Sequence, residues 1–191
     1  SHAHADHAGG ALAVQRGFPL ARVLAGEVAD LPESLQAQPC VSGERWEWDG
    51  VLFSLWQWAE AEDSNQSSCT LRVEASGEAL LLAGDIDRHA EQAWLQGSQA
   101  GPVDWLQSPH HGSRTSSSQP FLKVLSPRGA LISRGMHNGF GHPAALVMAR
   151  YAALGIAAYD SALLGAVRLR LGSFGEPQAM REQRRFWREP T

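Results

Sequence analysis

Three histidines and an aspartate open this chain in a spacing that no regular element can place on one face. Ser1-His2-Ala3-His4-Ala5-Asp6-His7 reads H-x-H-x-D-H, and neither a 3.6-residue nor a 2-residue repeat aligns all four. They converge only where the backbone turns tightly, and Ala3, Ala5, Gly9 and Gly10 let it crowd in without side-chain clash. A loop that gathers three imidazoles and a carboxylate suits a divalent metal. A polar turn or the remnant of a purification tag is the plainer reading. A tag, however, is an uninterrupted histidine run without an interposed Asp-His, so metal binding is the expectation.

Length and composition bound the rest. A chain of 191 residues with 43% apolar content can bury one good core. We expect a single domain over residues 1–172 and a polar tail over 173–191. Apolar runs stay far below the roughly 18–20 residues of a membrane span, so these residues are expected to be soluble. Of the 16 basic residues only Lys123 is lysine. Arginine suits bidentate phosphate contacts, but a GC-rich genome gives the same bias, and that plainer reading is preferred. A net charge of −4 argues against a surface that coats nucleic acid, so any polyanion must be held locally.

The pattern alternates as an α/β sandwich would. Gly10–Arg16 reads as a helix start and Arg22–Gly26 as a short strand. Trp46–Trp56 is an aromatic hairpin around Asp49-Gly50, and Thr70–Ala75 with Ala79–Ala83 forms a second across Ser76-Gly77. Asp87–Gln96 is predicted helical with Asp87 as N-cap, Val103–Gln107 a strand, Pro120–Leu125 a helix and Gly129–Ser133 a strand. Pro143–Leu154 follows as a helix with proline in its first turn. Ile156–Tyr159 and Ala166–Leu171 should close the sheet, and the segment from Glu176 to Thr191 is a docked helix or a disordered end.

Several motifs recur in order: His2-x-His4-x-Asp6-His7, Asn65…Ser68-Cys69, Leu80–Ala83 running into Gly84-Asp85, Pro109-His110-His111-Gly112-Ser113 and Gly141-His142-Pro143. In this order they resemble the metallo-β-lactamase fold superfamily, and within it the C-terminal domain of ComEC-type DNA-uptake proteins, over most of the chain from Ser1 to about Gly172. The resemblance implies a four-layer αββα sandwich. That fold opens with several strands before the first motif, and this chain begins on the motif, so N-terminal strands are expected to be missing. Many hydrolases of the superfamily supply a further histidine before Gly-Asp. Here Ser64–Cys69 contains none, which leaves the first metal short of a ligand unless Asn65 or water fills the place.

The resemblance implies two divalent ions, Mn²⁺ or Zn²⁺: His2 and His4 on the first, Asp6, His7 and a late histidine on the second, Asp85 between them. A lone Gly-Asp would be a strand-end cap; beside H-x-H-x-D-H it reads as a ligand. Two cations so held activate water and neutralise a phosphodiester, which makes Asp6, His110 and His111 the catalytic candidates. His110 and His111 leave a strand end in opposite directions, so one should be the ligand and its partner should orient phosphate or act as general acid. His110, first off the strand, is taken as the ligand. Ser113, Arg114, Thr115 and Ser116 offer hydroxyls, N–H groups and a guanidinium to a phosphate, although the same run reads equally as a polar linker. His142 joins them as a substrate contact or last ligand, or as a helix-end ring packed on Phe140. An exported domain permits a disulfide between Cys40 and Cys69.

The implied function is a metal-dependent phosphodiesterase that degrades the non-transported DNA strand. It would be a soluble domain on the periplasmic side of the inner membrane, beside the membrane channel domain of the same full-length protein, with no stable soluble protein partner. Another hydrolase of the fold, such as a phosphorylcholine esterase or lactonase, and a degenerate domain without catalysis are the competing classes.

Overall fold

A computed structural model describes residues 1–19, 21–97 and 99–182 of the protein. The opening loop runs into α1 (Ala5–Ala8) and α2 (Ala11–Gly17), followed by the short strands β1 (Leu24–Ala25) and β2 (Gln38–Pro39), which pair in parallel. Next come β3 (Arg45–Trp48) and β4 (Val51–Trp56), joined by Asp49 and Gly50 with φ of 50° and 76°. Positive φ at both central residues gives the twist that a two-residue hairpin requires. Ser76 and Gly77, at φ 50° and 83°, do the same between β5 (Thr70–Ala75) and β6 (Glu78–Leu82). From there helices and strands alternate: α3 (Arg88–Leu95), β7 (Trp105–Gln107), α4 (Gln119–Leu125), β8 (Gly129–Ile132), α5 (Ala145–Ala153), β9 (Ala157–Asp160) and α6 (Ser161–Leu164). A ribbon of β10 (Val167–Arg168) and β11 (Gln178–Ala179) follows.

The seven strands β3 to β9 lie side by side in chain order. Two tight turns and the longer connection over 57–69 make β3 to β6 antiparallel, and helical crossovers make β6 to β9 parallel. In register, Leu81, Leu106 and Ala130 point to one face, where Trp94 of α3, Phe121 and Leu122 of α4 and Tyr151 of α5 cover them, all essentially without exposure. Trp94 meets Phe121 edge-on at 5.5 Å between ring centroids, an arrangement favoured by the ring quadrupoles. The opposite face leaves Phe53, Val73 and Leu80 half-buried and Leu82 38% exposed. Part of it is closed by Trp105, which lies under Arg128, 4.3 Å from the ring, and donates to buried Glu78. Position 129 must be glycine, since a Cβ there would meet the Trp105 ring at 2.4 Å.

Two expectations fail here. The helix predicted from Pro143 begins at Ala145, because Ala144 stays extended (ψ 139°) and donates its N–H to Gly112 C=O. Ala166–Leu171 does not extend the sheet. After β9, Asp160 caps α6 by accepting from Ala162 N, and the chain turns away to form the β10–β11 ribbon. Residues 173–179 therefore fold with the domain, Glu176 accepting from Tyr159 Oη, while 183–191 of the expected tail lie outside the described residues. The described residues build the expected α/β arrangement, a mixed seven-stranded sheet with flanking helices, beside two two-stranded ribbons.

Candidate metal centre

Parallel order puts the C-terminal ends of β6, β7 and β8 at one edge of the sheet, where α/β folds collect their ligands. Asp85 leaves β6 through Gly84 (φ 59°), where a Cβ would lie 2.9 Å from the Cβ atoms of Ser1 and Ser68. The opening loop folds onto this edge. Ala3 N donates to Glu27, which also accepts from Ser64 Oγ, and this ties the loop to the segment before β5.

Three chain segments deliver their side chains to one point: the opening loop, Asp85 after β6 and the turn after β7. His7 Nε2 lies 3.2 Å from Asp85 Oδ2, and His111 Nε2 lies 3.2 Å from Asp6 Oδ2 and 3.3 Å from His7 Nε2. Two ligand-like groups result, His2–His7–Asp85 and Asp6–His7–His111. The structure also fixes the tautomer of His111. His111 Nδ1 donates to Ser133 C=O at 2.7 Å, which turns the Nε2 lone pair inward. Ser68 Oγ takes Asp85 N–H at 3.0 Å and sits 3.2 Å from His2 Nδ1, leaving His2 Nε2 buried without a partner. Asp85 Oδ1 and His110 Nδ1 are orphaned likewise. Buried polar atoms are rarely left unpaired, and imidazole nitrogens with carboxylate oxygens are the donor set of zinc and manganese. The residues fit a divalent metal.

Electrostatics favour the ligating forms. Burial, reinforced by the neighbouring His7, pushes His2 down to about 4. Burial also lowers His110 and His142 against the pull of Asp85. Burial alone would raise the Asp85 carboxyl, but the hydrogen bond from His7 and the surrounding imidazoles hold it below the usual carboxylate range.

The expectation that His110 and His111 point apart is corrected. Both residues have left-handed φ, 49° and 54°, inside the turn Pro109–Gly112, so strand alternation does not apply. Their Nε2 atoms approach Asp85 Oδ2 together, at 3.9 and 3.6 Å. His111, not His110, lies in a ligand group. His4 is exposed and in neither group, its ring 4.4 Å from that of His2.

The serine loop behaves differently from an open phosphate nest. Ser116 is buried with its hydroxyl donating to Ile86 C=O, so it cannot meet a substrate, which overturns that assignment. The N–H groups of Ser117 and Ser118 donate to Glu91, not outward. Arg114 and Thr115 remain exposed, with Ser113 Oγ bonded to Thr115 Oγ1 at 3.0 Å. Arg114 lines a cavity of about 440 Å³ with Phe140 and His142. His142 Nδ1 is buried and unpartnered, 5.6 Å between ring centroids from His110, while Asn138 clamps its backbone by accepting from His142 N and donating to His142 C=O. Cys40 and Cys69 are bonded in a disulfide behind the opening loop.

Sequence reasoning missed Glu91, Tyr151 and Ser108. Tyr151 Oη joins Ser108 Oγ at 2.8 Å and Ser117 Oγ at 2.9 Å beneath the loop. Each reads locally as an ordinary helix or strand position; an acidic residue at a core-facing position of α3 was the only available signal.

Residues 1–137 match the family model of the metallo-β-lactamase superfamily. The chain is 38% identical to competence protein ComA of Neisseria gonorrhoeae over 99% of its length, 36% identical to the uncharacterised protein YcaI of Escherichia coli over 79%, and 31% identical to recombination protein 2 of Haemophilus influenzae over 88%. It spans 27%, 20% and 21% of those relatives. Among solved structures, CmlA, a diiron β-hydroxylase from Streptomyces venezuelae, aligns with a TM-score of 0.56 at 12% identity, over 84% of this chain and 42% of that one, a likeness of fold alone. The chain belongs to the metallo-β-lactamase superfamily and is similar to ComEC-type competence proteins along nearly its whole length.

Proposed function

We propose that this chain is the metal-dependent phosphodiesterase domain of a DNA-uptake protein, cutting the strand that is not transported. The observation that carries the reading is the convergence of His2, Asp6, His7, Asp85 and His111 with buried, unpaired ligand atoms, next to a cavity that presents Arg114. Two divalent cations, manganese or zinc, when bound would lower the pKa of water and neutralise a phosphodiester. Asp85 would be the shared carboxylate, since its Oδ2 lies 3.2, 3.9 and 3.6 Å from His7, His110 and His111 and its buried Oδ1 has no partner. His7 has a single nitrogen to offer because Nδ1 is taken by Ser1 Oγ at 2.8 Å. His111 is the ligand of the double histidine. His142 lines the cavity with His110 beside it, 5.6 Å between ring centroids, and burial keeps both neutral near pH 7, so they would take the proton released by the attacking water and pass it to the leaving oxygen. Arg114 holds the phosphate.

The similarity to a competence protein supports DNA as substrate and a membrane channel in the same full-length chain as partner, on the periplasmic side of the inner membrane. No helix of the described residues is long and apolar enough to cross a membrane.

Fluorescent single- and double-stranded DNA incubated with Mn²⁺, Zn²⁺ or Mg²⁺ should be cut, and EDTA should stop the reaction. Intact DNA under every metal would remove the reading. It would favour a domain that keeps the fold without catalysis, an alternative supported by the exposure of His4 and by the lack of a histidine in Ser64–Cys69.

Arg114→Ala should weaken DNA binding at least about tenfold, the loss of one charge-assisted contact, with bound metal unchanged. Lysine should restore only part, since the planar fork is gone, and the difference should shrink as salt rises. Equal binding by the variant at low salt would make this loop a linker.

A further inference from the structure

The cavity beside the metal centre has a second chemistry that phosphate binding does not use. Its wall carries Phe140, 84% exposed, and Leu146, 53% exposed, together with Ala144 and Ala145 from the start of α5. Large apolar side chains this exposed are normal when scattered, but here two line one concavity with the only guanidinium of the serine loop. Phe140 lies nearly parallel to His142, with ring centroids 5.8 Å apart and planes 20° off. His142 in turn meets His110 edge-on, with ring centroids 5.6 Å apart. One face of the Phe140 ring is therefore backed by the His142 imidazole, beside the centre. The loop is fixed in that pose by the paired hydrogen bonds of Asn138 to the His142 backbone. A volume of about 440 Å³ is in the range of small-molecule sites.

We infer that this cavity is a nucleobase subsite: an unstacked base lies on Phe140 and against Leu146 while its adjoining phosphate reaches Arg114. An aromatic face with a cation beside it is how proteins grip single strands without reading sequence, since every base has a π-face. A base paired inside a duplex cannot reach Phe140, so the subsite selects single-stranded or frayed DNA. The inference rests on the phosphodiesterase reading for the phosphate that follows the base, but not for the stacking itself.

Four twelve-nucleotide probes with a cleavage-resistant phosphorothioate backbone separate the two in the presence of Mn²⁺: thymidine, adenosine, abasic, and a duplex. By fluorescence anisotropy the protein should hold either single strand with bases about tenfold more tightly than the abasic strand or the duplex, as one stacked base implies. Phe140→Ala should lower affinity for the thymidine and adenosine strands about tenfold and leave the abasic strand unaffected, and Phe140→Trp should retain the preference. Arg114→Ala should weaken base-bearing and abasic strands alike. Phe140 is a surface side chain, so its replacement is not expected to disturb folding. Equal affinity for base-bearing and abasic strands, equal affinity for the duplex, or a uniform loss in Phe140→Ala would overturn the subsite even if ordinary DNA is still cut. Discrimination without cleavage of ordinary DNA would keep the subsite and overturn the phosphodiesterase reading.

Discussion

Asp85→Ala is expected to empty the centre of tightly held metal and to abolish DNA cleavage. The side chain is 3% exposed, and its Oδ2 faces His7, His110 and His111 at 3.2, 3.9 and 3.6 Å, with Oδ1 unpaired. It is the one carboxylate of the centre removed from water; the Asp6 side chain is 63% exposed. Removing the outer partners of a metal typically lowers affinity about 10–100-fold, so loss of a direct anionic ligand should exceed that. Asp85→Asn keeps the shape and the backbone contact from Asp85 N to Ser68 Oγ but not the charge, and should fold while failing in the same way. Metal content after dialysis, read by elemental mass spectrometry, decides the matter. A variant that keeps the metal of the parent would place the ions elsewhere.

The parts of this arrangement that were legible in the sequence are those set by local chemistry. Asp49-Gly50 and Ser76-Gly77 announce hairpins because both positions of such a turn need positive φ. Asp87 announces α3 because its carboxylate accepts from His89 N and Ala90 N. The H-x-H-x-D-H loop and Gly84-Asp85 likewise declare themselves by residue type. The unread parts depend on contacts between distant segments. The two left-handed residues His110 and His111 look like the end of a strand until the turn after β7 is seen, since alternation predicts opposite directions. Ser116 looks like a free donor until Ile86 C=O comes within 2.8 Å. Pro143 looks like a helix start, yet Ala144 is held extended by Gly112, thirty-two positions earlier in the chain. Tertiary hydrogen bonds outrank local preference at each of these places.

Glu91 shows the same priority and yields the second large effect, on stability against pH. It is fully buried on α3 and accepts from Ser117 N at 2.5 Å and Ser118 N at 2.8 Å, so it anchors the loop that presents Arg114. Burial outweighs those hydrogen bonds and pushes its carboxyl up to about 7 from 4.5. Below about pH 4.5 the group is protonated folded or unfolded and contributes no slope. Between there and about pH 7 the folded chain keeps a proton that the unfolded chain has released. Stability therefore falls as pH rises through that window, by about 3 kcal/mol in all. His2, lowered to about 4 from 6.5, acts in the opposite sense: its neutral form is the folded one, so stability rises over nearly the same range. The two slopes mask each other in the parent. Glu91→Gln separates them, because the amide is neutral throughout and His2 is common to both proteins. Urea unfolding at about pH 5 should give similar free energies for parent and variant. At about pH 8 the variant should be the more stable by about 3 kcal/mol. Parallel curves across that interval would mean that Glu91 titrates normally and that the serine loop hangs on an ordinary carboxylate.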